Sequence, residues 1–307
     1  MSDSTGHTTN DAEHGIAAPG FRLPARTRIG VVRLQVSNLA RSLAYYERVL
    51  GFRALTHSGD RVTLGTASGD AAILELREKA GAKPVPRRGR LGLFHFAILL
   101  PDRASLGRFV AHLSEIGAHA GSSDHLVSEA LYLYDPDGLG IEVYADRPRA
   151  AWRYEGREVA MATLPLDLAS LVAAGGGERW AGMPNGTTIG HVHLHVGDLD
   201  RGAAFYHDAL GFDKIVWSYP GALFLSAGGY HHHLGTNTWA AGASPATDDD
   251  ARLIEWELVL PDVASVRDAA ASIERNGGAV EREPDGTVLA RDPWGTALRL
   301  IADQANE

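Results

Sequence analysis

Hydrophobic alternation begins near Arg28. Val32, Leu34 and Val36 interleave with Val31, Arg33 and Gln35, a two-residue period that predicts a strand. Over Leu39–Leu50 the apolar residues Leu43, Tyr46 and Leu50 fall at near-helical spacing, and Gly51 stops the helix. Short strands are expected around Arg61–Thr66 and Ala71–Glu78, broken by the Ser68-Gly69-Asp70 turn. Gly92–Leu100 opens a second strand-then-helix unit, with its helix near Ala104–Ile116. That unit closes through Glu129–Tyr134, the Asp135-Pro136-Asp137-Gly138 turn and a last strand, Ile141–Ala145.

The same pattern then returns. Ile29-Gly30-Val31-Val32-Arg33-Leu34-Gln35-Val36 lies over Ile189-Gly190-His191-Val192-His193-Leu194-His195-Val196, and Leu50-Gly51-Phe52 over Leu210-Gly211-Phe212. Leu93-Phe94-His95-Phe96-Ala97-Ile98-Leu99-Leu100-Pro101-Asp102 lies over Leu253-Ile254-Glu255-Trp256-Glu257-Leu258-Val259-Leu260-Pro261-Asp262. The offset is constant: 191 − 31 and 255 − 95 both give 160. A repeat of this length marks duplicated architecture. The expected organisation is a mobile polar tail (1–26), a first domain of two modules (27–146), a connection (147–186) and a second domain of two modules (187–304). Leu164–Ala174 in the connection is expected to form a helix before Gly175-Gly176-Gly177.

Composition narrows the function classes. A chain of 307 residues with 45% hydrophobic and 22% charged residues can bury two proper cores. Its net charge of −9 argues against a nucleic-acid partner, since no basic stripe is available to neutralise phosphates. The absence of cysteine excludes disulfides, thiolate-bound zinc, iron–sulfur clusters and cysteine nucleophiles. No apolar run is long enough to cross a bilayer and Met1–Pro24 has no apolar signal core, so a cytoplasmic protein is expected. The one oddity is 14 His, several on predicted strands.

These repeated strand–helix–three-strand units, with their Leu-Gly-Phe and Asp-Pro-x-Gly elements, resemble the vicinal oxygen chelate superfamily. That group includes glyoxalase I, bleomycin-resistance proteins and type I extradiol dioxygenases. The resemblance implies an α+β fold of four βαβββ modules in two tandem domains, with mixed sheets curled around a metal held by first-strand and last-strand residues. The repeat sets the first-strand positions at Val31, His95, His191 and Glu255, and the last-strand positions at Glu142 and Arg299. Valine and arginine cannot be ligands. The implied metal set is therefore His95, Glu142 and His191, two imidazoles and a carboxylate, as in facial Fe(II) sites, with Mn(II) as the alternative. Assembling it requires module two to face module three and module one to face module four, whereas the usual extradiol order pairs one with two. His193 and His195 share a strand face with His191, but one ligand is what the family uses there. Glu255 and Arg299 are expected to form an internal ion pair.

Ser123-Asp124-His125 and Tyr132 resemble the segment that lines the extradiol pocket, which implies roles for His125 and Tyr132 toward the substrate. Tyr230-His231-His232-His233-Leu234 resembles the strand bearing the family's acid–base histidine. Alignment on the leucine selects His232, and alignment on the preceding glycine selects His233. The closest resemblance is to two-domain catechol 2,3-dioxygenases of Gram-positive bacteria, which implies a small aromatic diol and O2 as partners, no nucleic acid or membrane, and a homo-oligomer as a further option. The alternatives are a glyoxalase-like lyase or isomerase, which would normally present a second carboxylate where the histidine run stands, and a non-catalytic antibiotic-binding protein, which would generally lack the metal set.

Overall fold

The computed structural model describes residues 14–303. Module one comprises β1 (Arg28–Val36), α1 (Leu39–Tyr45), β2 (Arg53–Ser58), β3 (Arg61–Gly65) and β4 (Leu74–Glu78). Module two comprises β5 (Gly92–Leu99), α2 (Arg103–Glu115), β6 (Gly121–Asp124), β7 (Ser128–Tyr134) and β8 (Gly140–Asp146). The connection carries a small hairpin, β9 (Tyr154–Glu155) and β10 (Glu158–Val159), and α3 (Leu168–Ala174). Module three comprises β11 (Thr188–His195), α4 (Leu199–Ala203), β12 (Asp213–Val216), β13 (Ala222–Ser226) and β14 (Leu234–Asn237). Module four comprises β15 (Arg252–Leu260), α5 (Val263–Arg275), β16 (Val280–Arg282), β17 (Val288–Arg291) and β18 (Ala297–Ala302).

The modules pair crosswise. One eight-stranded sheet runs β16-β17-β18-β15-β1-β4-β3-β2, joining modules four and one. The other runs β12-β13-β14-β11-β5-β8-β7-β6, joining modules three and two. Both seams, β1 with β15 and β11 with β5, are antiparallel, whereas inside each module the first and last strands are parallel.

Strand alternation divides structural from chemical duty. Val32 and Leu34 of β1, Phe96 and Ile98 of β5, Val192 and Leu194 of β11, and Trp256 and Leu258 of β15 all enter one apolar core. The intervening residues of the same strands, His95, His191, Glu255 and Glu257 among them, turn to the opposite face. The core is large and dry: Trp256, Phe96 and Leu34 are fully buried. Each such side chain contributes about 2–3 kcal/mol of transfer free energy. Asn38, Asp102, Asp198 and Asp262 each cap a helix by accepting from the backbone N–H three residues on, so the repeat preserves its helix starts as well as its strands.

Two expectations change. Residues 1–13 of the predicted tail lie outside the described residues, but from His14 on the segment is docked on module three. Ile16 bridges to Lys214, Arg22 pairs with Asp213 at 2.7 Å, and Leu23 is buried. The helix expected over Leu164–Ala174 starts later, at Leu168, because Pro165 precedes it and Asp167 supplies the cap, accepting from Ser170 N–H at 2.9 Å.

Candidate metal centre and substrate pocket

Three side chains from adjacent strands of the second sheet converge. His95 of β5 and His191 of β11 place their Nε2 atoms 3.3 Å apart. Each lies beside the same oxygen of Glu142 on β8, at 3.0 Å for His95 and 3.1 Å for His191. All three residues are buried. The strand register explains the meeting: His95 pairs with His193 and Ala97 with His191 across the seam, while Ala97 lies beside Glu142 on the parallel strand. The small Ala97 side chain leaves the shared face open for the three larger ones.

This donor set suits a divalent cation. A triangle of this size has a point about 2.1 Å from each corner, the usual length for imidazole and carboxylate donors. Burial alone would raise the Glu142 carboxyl, but the facing His191 and His95 rings hold it well below the usual carboxylate range. Burial pushes His191 down to about 4, so its lone pair is available at neutral pH. A cation held by Nε2 would leave the His191 proton on Nδ1, which is buried without a hydrogen-bond partner. Packing orients that ring instead, between Tyr144 (ring centroids 5.1 Å) and His232 (4.0 Å). Gly190 makes room, because a Cβ there would lie 1.8 Å from the Tyr144 hydroxyl.

The other histidines of β11 are spoken for. His195 Nδ1 is 2.7 Å from Asn237 Oδ1 and so donates to it, and Asn237 Nδ2 donates to His193 Nε2 at 3.0 Å. The nitrogen that His193 could offer to a cation is thus engaged by an amide, which separates it from His191.

The Tyr230–His233 run does not continue a strand, since β14 begins at Leu234. Strict side-chain alternation therefore fails, and neighbouring His231 and His232 touch. His231 Nε2 lies 2.9 Å from Asp146 Oδ1, and a carboxylate there accepts, so in a neutral His231 the Nδ1 is left as an acceptor. Its contact with His232 Nδ1 at 2.7 Å then requires the proton to sit on His232 Nδ1. His232 Nε2 remains as the unprotonated nitrogen of a residue that lines the metal pocket. His233 points elsewhere: its Nδ1 accepts from Ala227 N–H at 3.2 Å and contacts Ser226 Oγ at 3.0 Å, and its ring stacks on Phe212. It is absent from the pocket lining, which includes His232.

Tyr132 and His125 both line the pocket and bond to each other at 2.5 Å. His125 Nδ1 lies 2.7 Å from the carbonyl of Ala162 and must donate to it, so a neutral His125 accepts from the Tyr132 hydroxyl through Nε2. Burial, followed by the nearby Glu142 charge, pushes the Tyr132 phenol well above its ordinary pKa and keeps it protonated. The turn holding His125 contains Leu126 at φ 70°, the left-handed region, steadied by its N–H donating to Asp124 Oδ1 at 2.8 Å. The wall that receives His125 belongs to the connection, whose Met161, Ala162 and Thr163 line the pocket. Sequence reasoning passed over that segment and over His231 and Asp146. The pocket measures about 360 Å³, walled mainly by aromatic rings such as Phe94, Phe224 and Trp239.

The equivalent place in the first sheet is filled by ions. Arg33 reaches Glu75 at 3.2 Å, Glu255 at 3.1 Å and Glu257 at 2.6 Å. Arg299 grips Glu255 from the other side at 2.9 Å and 3.2 Å, the ion pair anticipated from the sequence. By the 160-residue offset Glu255 stands where His95 does in the other sheet and Arg33 where His193 does, while Glu257 and Glu75 stand where Ala97 and Gly235 do.

The sequence model of the Glyoxalase/Bleomycin resistance protein/Dioxygenase superfamily matches residues 28–143 and 188–300. A catechol-2,3-dioxygenase of Bacillus subtilis (strain 168) is 46% identical over 272 residues, covering 87% of this chain and 94% of that protein. A crystal structure of a putative dioxygenase from Bacillus subtilis subsp. subtilis str. 168 superimposes with a TM-score of 0.64 at 15% identity, covering 92% of this chain and 87% of that one. Glyoxalase I from Zea mays does so with a TM-score of 0.53 at 19% identity, covering 90% and 92%. Fold, duplicated modules and sequence agree: the chain belongs to the glyoxalase/bleomycin resistance protein/dioxygenase superfamily.

Proposed function

We propose that this protein is an extradiol dioxygenase that opens the ring of a catechol-type diol with nonhaem Fe(II) and O2. The observation that carries the reading is the meeting of His95, His191 and Glu142 in one pocket with the free nitrogen of His232. Two imidazoles and one carboxylate occupy one side of a cation and leave positions open for other ligands, and Fe(II) and Mn(II) both accept such a set. When bound, the cation supplies Lewis acidity toward the diol and activates O2. The 46% identical relative bears the name catechol-2,3-dioxygenase, which supports the same reaction here.

The remaining work falls to the chain's own side chains. A pocket of about 360 Å³ with aromatic walls holds one substituted benzene ring and excludes bulk water. His232 Nε2 takes a phenolic proton, and burial, reinforced by the His191 and His231 rings, favours its neutral, receptive form. The Nδ1 proton of His232 points to His231, whose Nε2 proton points to Asp146. The Asp146 side chain is 28% exposed, so the chain of bonds ends at solvent and gives the proton a way out. Tyr132, with its own proton directed to His125, turns oxygen lone pairs toward the diol and orients it. Glu142 is the one carboxylate of the pocket lining and belongs to the donor set, which weighs against a glyoxalase-like reading that needs a second acid.

The test is direct. Protein loaded anaerobically with Fe(II) and then given catechol in air is expected to consume one O2 per diol and to form a yellow ring-opened product. Unconsumed O2 and intact catechol across a panel of substituted catechols would overturn the assignment.

A further inference from the structure

Outside the metal pocket lies a second, larger chamber of about 920 Å³. The two share Phe94, Tyr134 and Trp239, so the chamber adjoins the pocket across these three rings. It is a built space, because its two walls are tied together. Leu91 N–H donates to the carbonyl of Ser244 at 3.1 Å, and Ala246 N–H to that of Leu91 at 3.0 Å. On the module-two side, Val85 N–H holds the carbonyl of Asp137 at 2.9 Å. The lining contains Arg87 and Arg88 and no carboxylate. Among the described residues neither arginine has an ion pair, whereas nearby Arg90 and Lys79 are paired with Asp250 and Asp249. In a chain of net charge −9, two arginines that are adjacent in sequence, line this chamber and have no ion pair form a local reversal of charge beside the inner pocket.

We propose that the preferred diol carries a negatively charged side chain, a carboxylate, which lies in this outer chamber against Arg87 and Arg88 while the ring occupies the inner pocket. The proposal rests on the ring-cleaving reading for its diol, but the charge preference is separately observable. A guanidinium offers paired N–H donors that match a carboxylate, and a neutral substituent would leave the same donors to water. The aromatic shared wall suits the short apolar stem between ring and charge.

The experiment compares one dihydroxyphenyl carboxylic acid with its methyl ester, for equilibrium binding by tryptophan fluorescence and for turnover. The unmodified protein at low ionic strength is expected to favour the acid about tenfold, a preference that weakens with added salt because the contacts are partly solvated. In the R87Q/R88Q double variant the acid-to-ester ratio is expected to fall toward one, chiefly through KM. Equal handling of acid and ester by the unmodified protein, with ring cleavage intact, would overturn the charge preference and leave the dioxygenase reading standing. Acid-selective binding that depends on both arginines, without cleavage of either compound, would uphold the anion site and overturn the reaction.

Discussion

His231 Nδ1 and His232 Nδ1 lie 2.7 Å apart, and with His231 neutral the proton between them belongs to His232, because Asp146 fixes the opposite proton of His231. This ordering leaves Nε2 of His232 bare, the nitrogen that would take the diol's proton in the proposed reaction. Removing the acceptor with His231→Phe should leave His232 free to adopt the wrong tautomer. We expect kcat to fall about 10²-fold with KM little changed, while His232→Ala loses about 10²–10⁴-fold. Added imidazole should restore activity partly in His232→Ala and not in His231→Phe. Similar rescue of both variants would remove the positioning role of His231.

Tyr132→Phe deletes the donor to His125 and, in the proposed reaction, the oxygen that would meet the diol. Its expected signature is a kcat/KM loss of about tenfold or more with little change in metal content, since the phenol stands beside the donor set and outside it. Metal analysis alongside steady-state kinetics distinguishes this from damage to the centre. Loss of metal in the variant would place Tyr132 in support of the ligands.

Arg33 neutralises Glu75, Glu255 and Glu257 at the seam between modules one and four. Replacement by methionine leaves the buried Glu257 without its guanidinium, while Glu255 keeps Arg299 and Glu75 keeps Arg77, and we expect about 3 kcal/mol of destabilisation. Urea denaturation measures it. Metal stoichiometry should stay at about one per chain, because a single donor set of this kind is present among the described residues. An undiminished denaturation midpoint would show that the cluster contributes nothing to the fold.

Burial pushes His233 down from 6.5 to about 3, with His231, His191 and Arg149 adding in the same direction. Between those values the unfolded chain binds a proton that the folded chain refuses, so stability rises with pH. The contribution is complete above 6.5 and is lost as pH falls toward 3, at about 1.4 kcal/mol per pH unit. Unfolding free energies at pH 7 and pH 5 should therefore differ by about 2 kcal/mol less in His233→Gln than in the parent protein. Parallel pH profiles would contradict this.

Much of this architecture is legible in the sequence because duplication exposes it. The 160-residue offset aligns each strand with its copy, and alternation along β5 and β11 separates core residues such as Phe96 and Val192 from His95 and His191. Crosswise pairing also follows, since His95, Glu142 and His191 can meet in no other arrangement of modules. The histidine run is less tractable: it precedes β14, which begins at Leu234, so strand alternation does not govern it and the sequence leaves both His232 and His233 open. His231 and Asp146 act through a hydrogen-bond direction, which no spacing encodes. Ala162 contributes a backbone carbonyl, and a carbonyl leaves no residue-type signal. The Lys83–Asp250 and Leu91–Pro245 bridges and the Arg87–Arg88 chamber arise between loops far apart in the chain, beyond the reach of local pattern.

The central claim is that modules two and three hold one cation through His95, His191 and Glu142, and its most direct test is anaerobic Fe(II) titration of the unmodified protein and of His95→Ala, followed calorimetrically. The account predicts one tight site per chain in the former and an affinity at least about 10²-fold weaker in the latter. Equal affinity and stoichiometry in both proteins would contradict it.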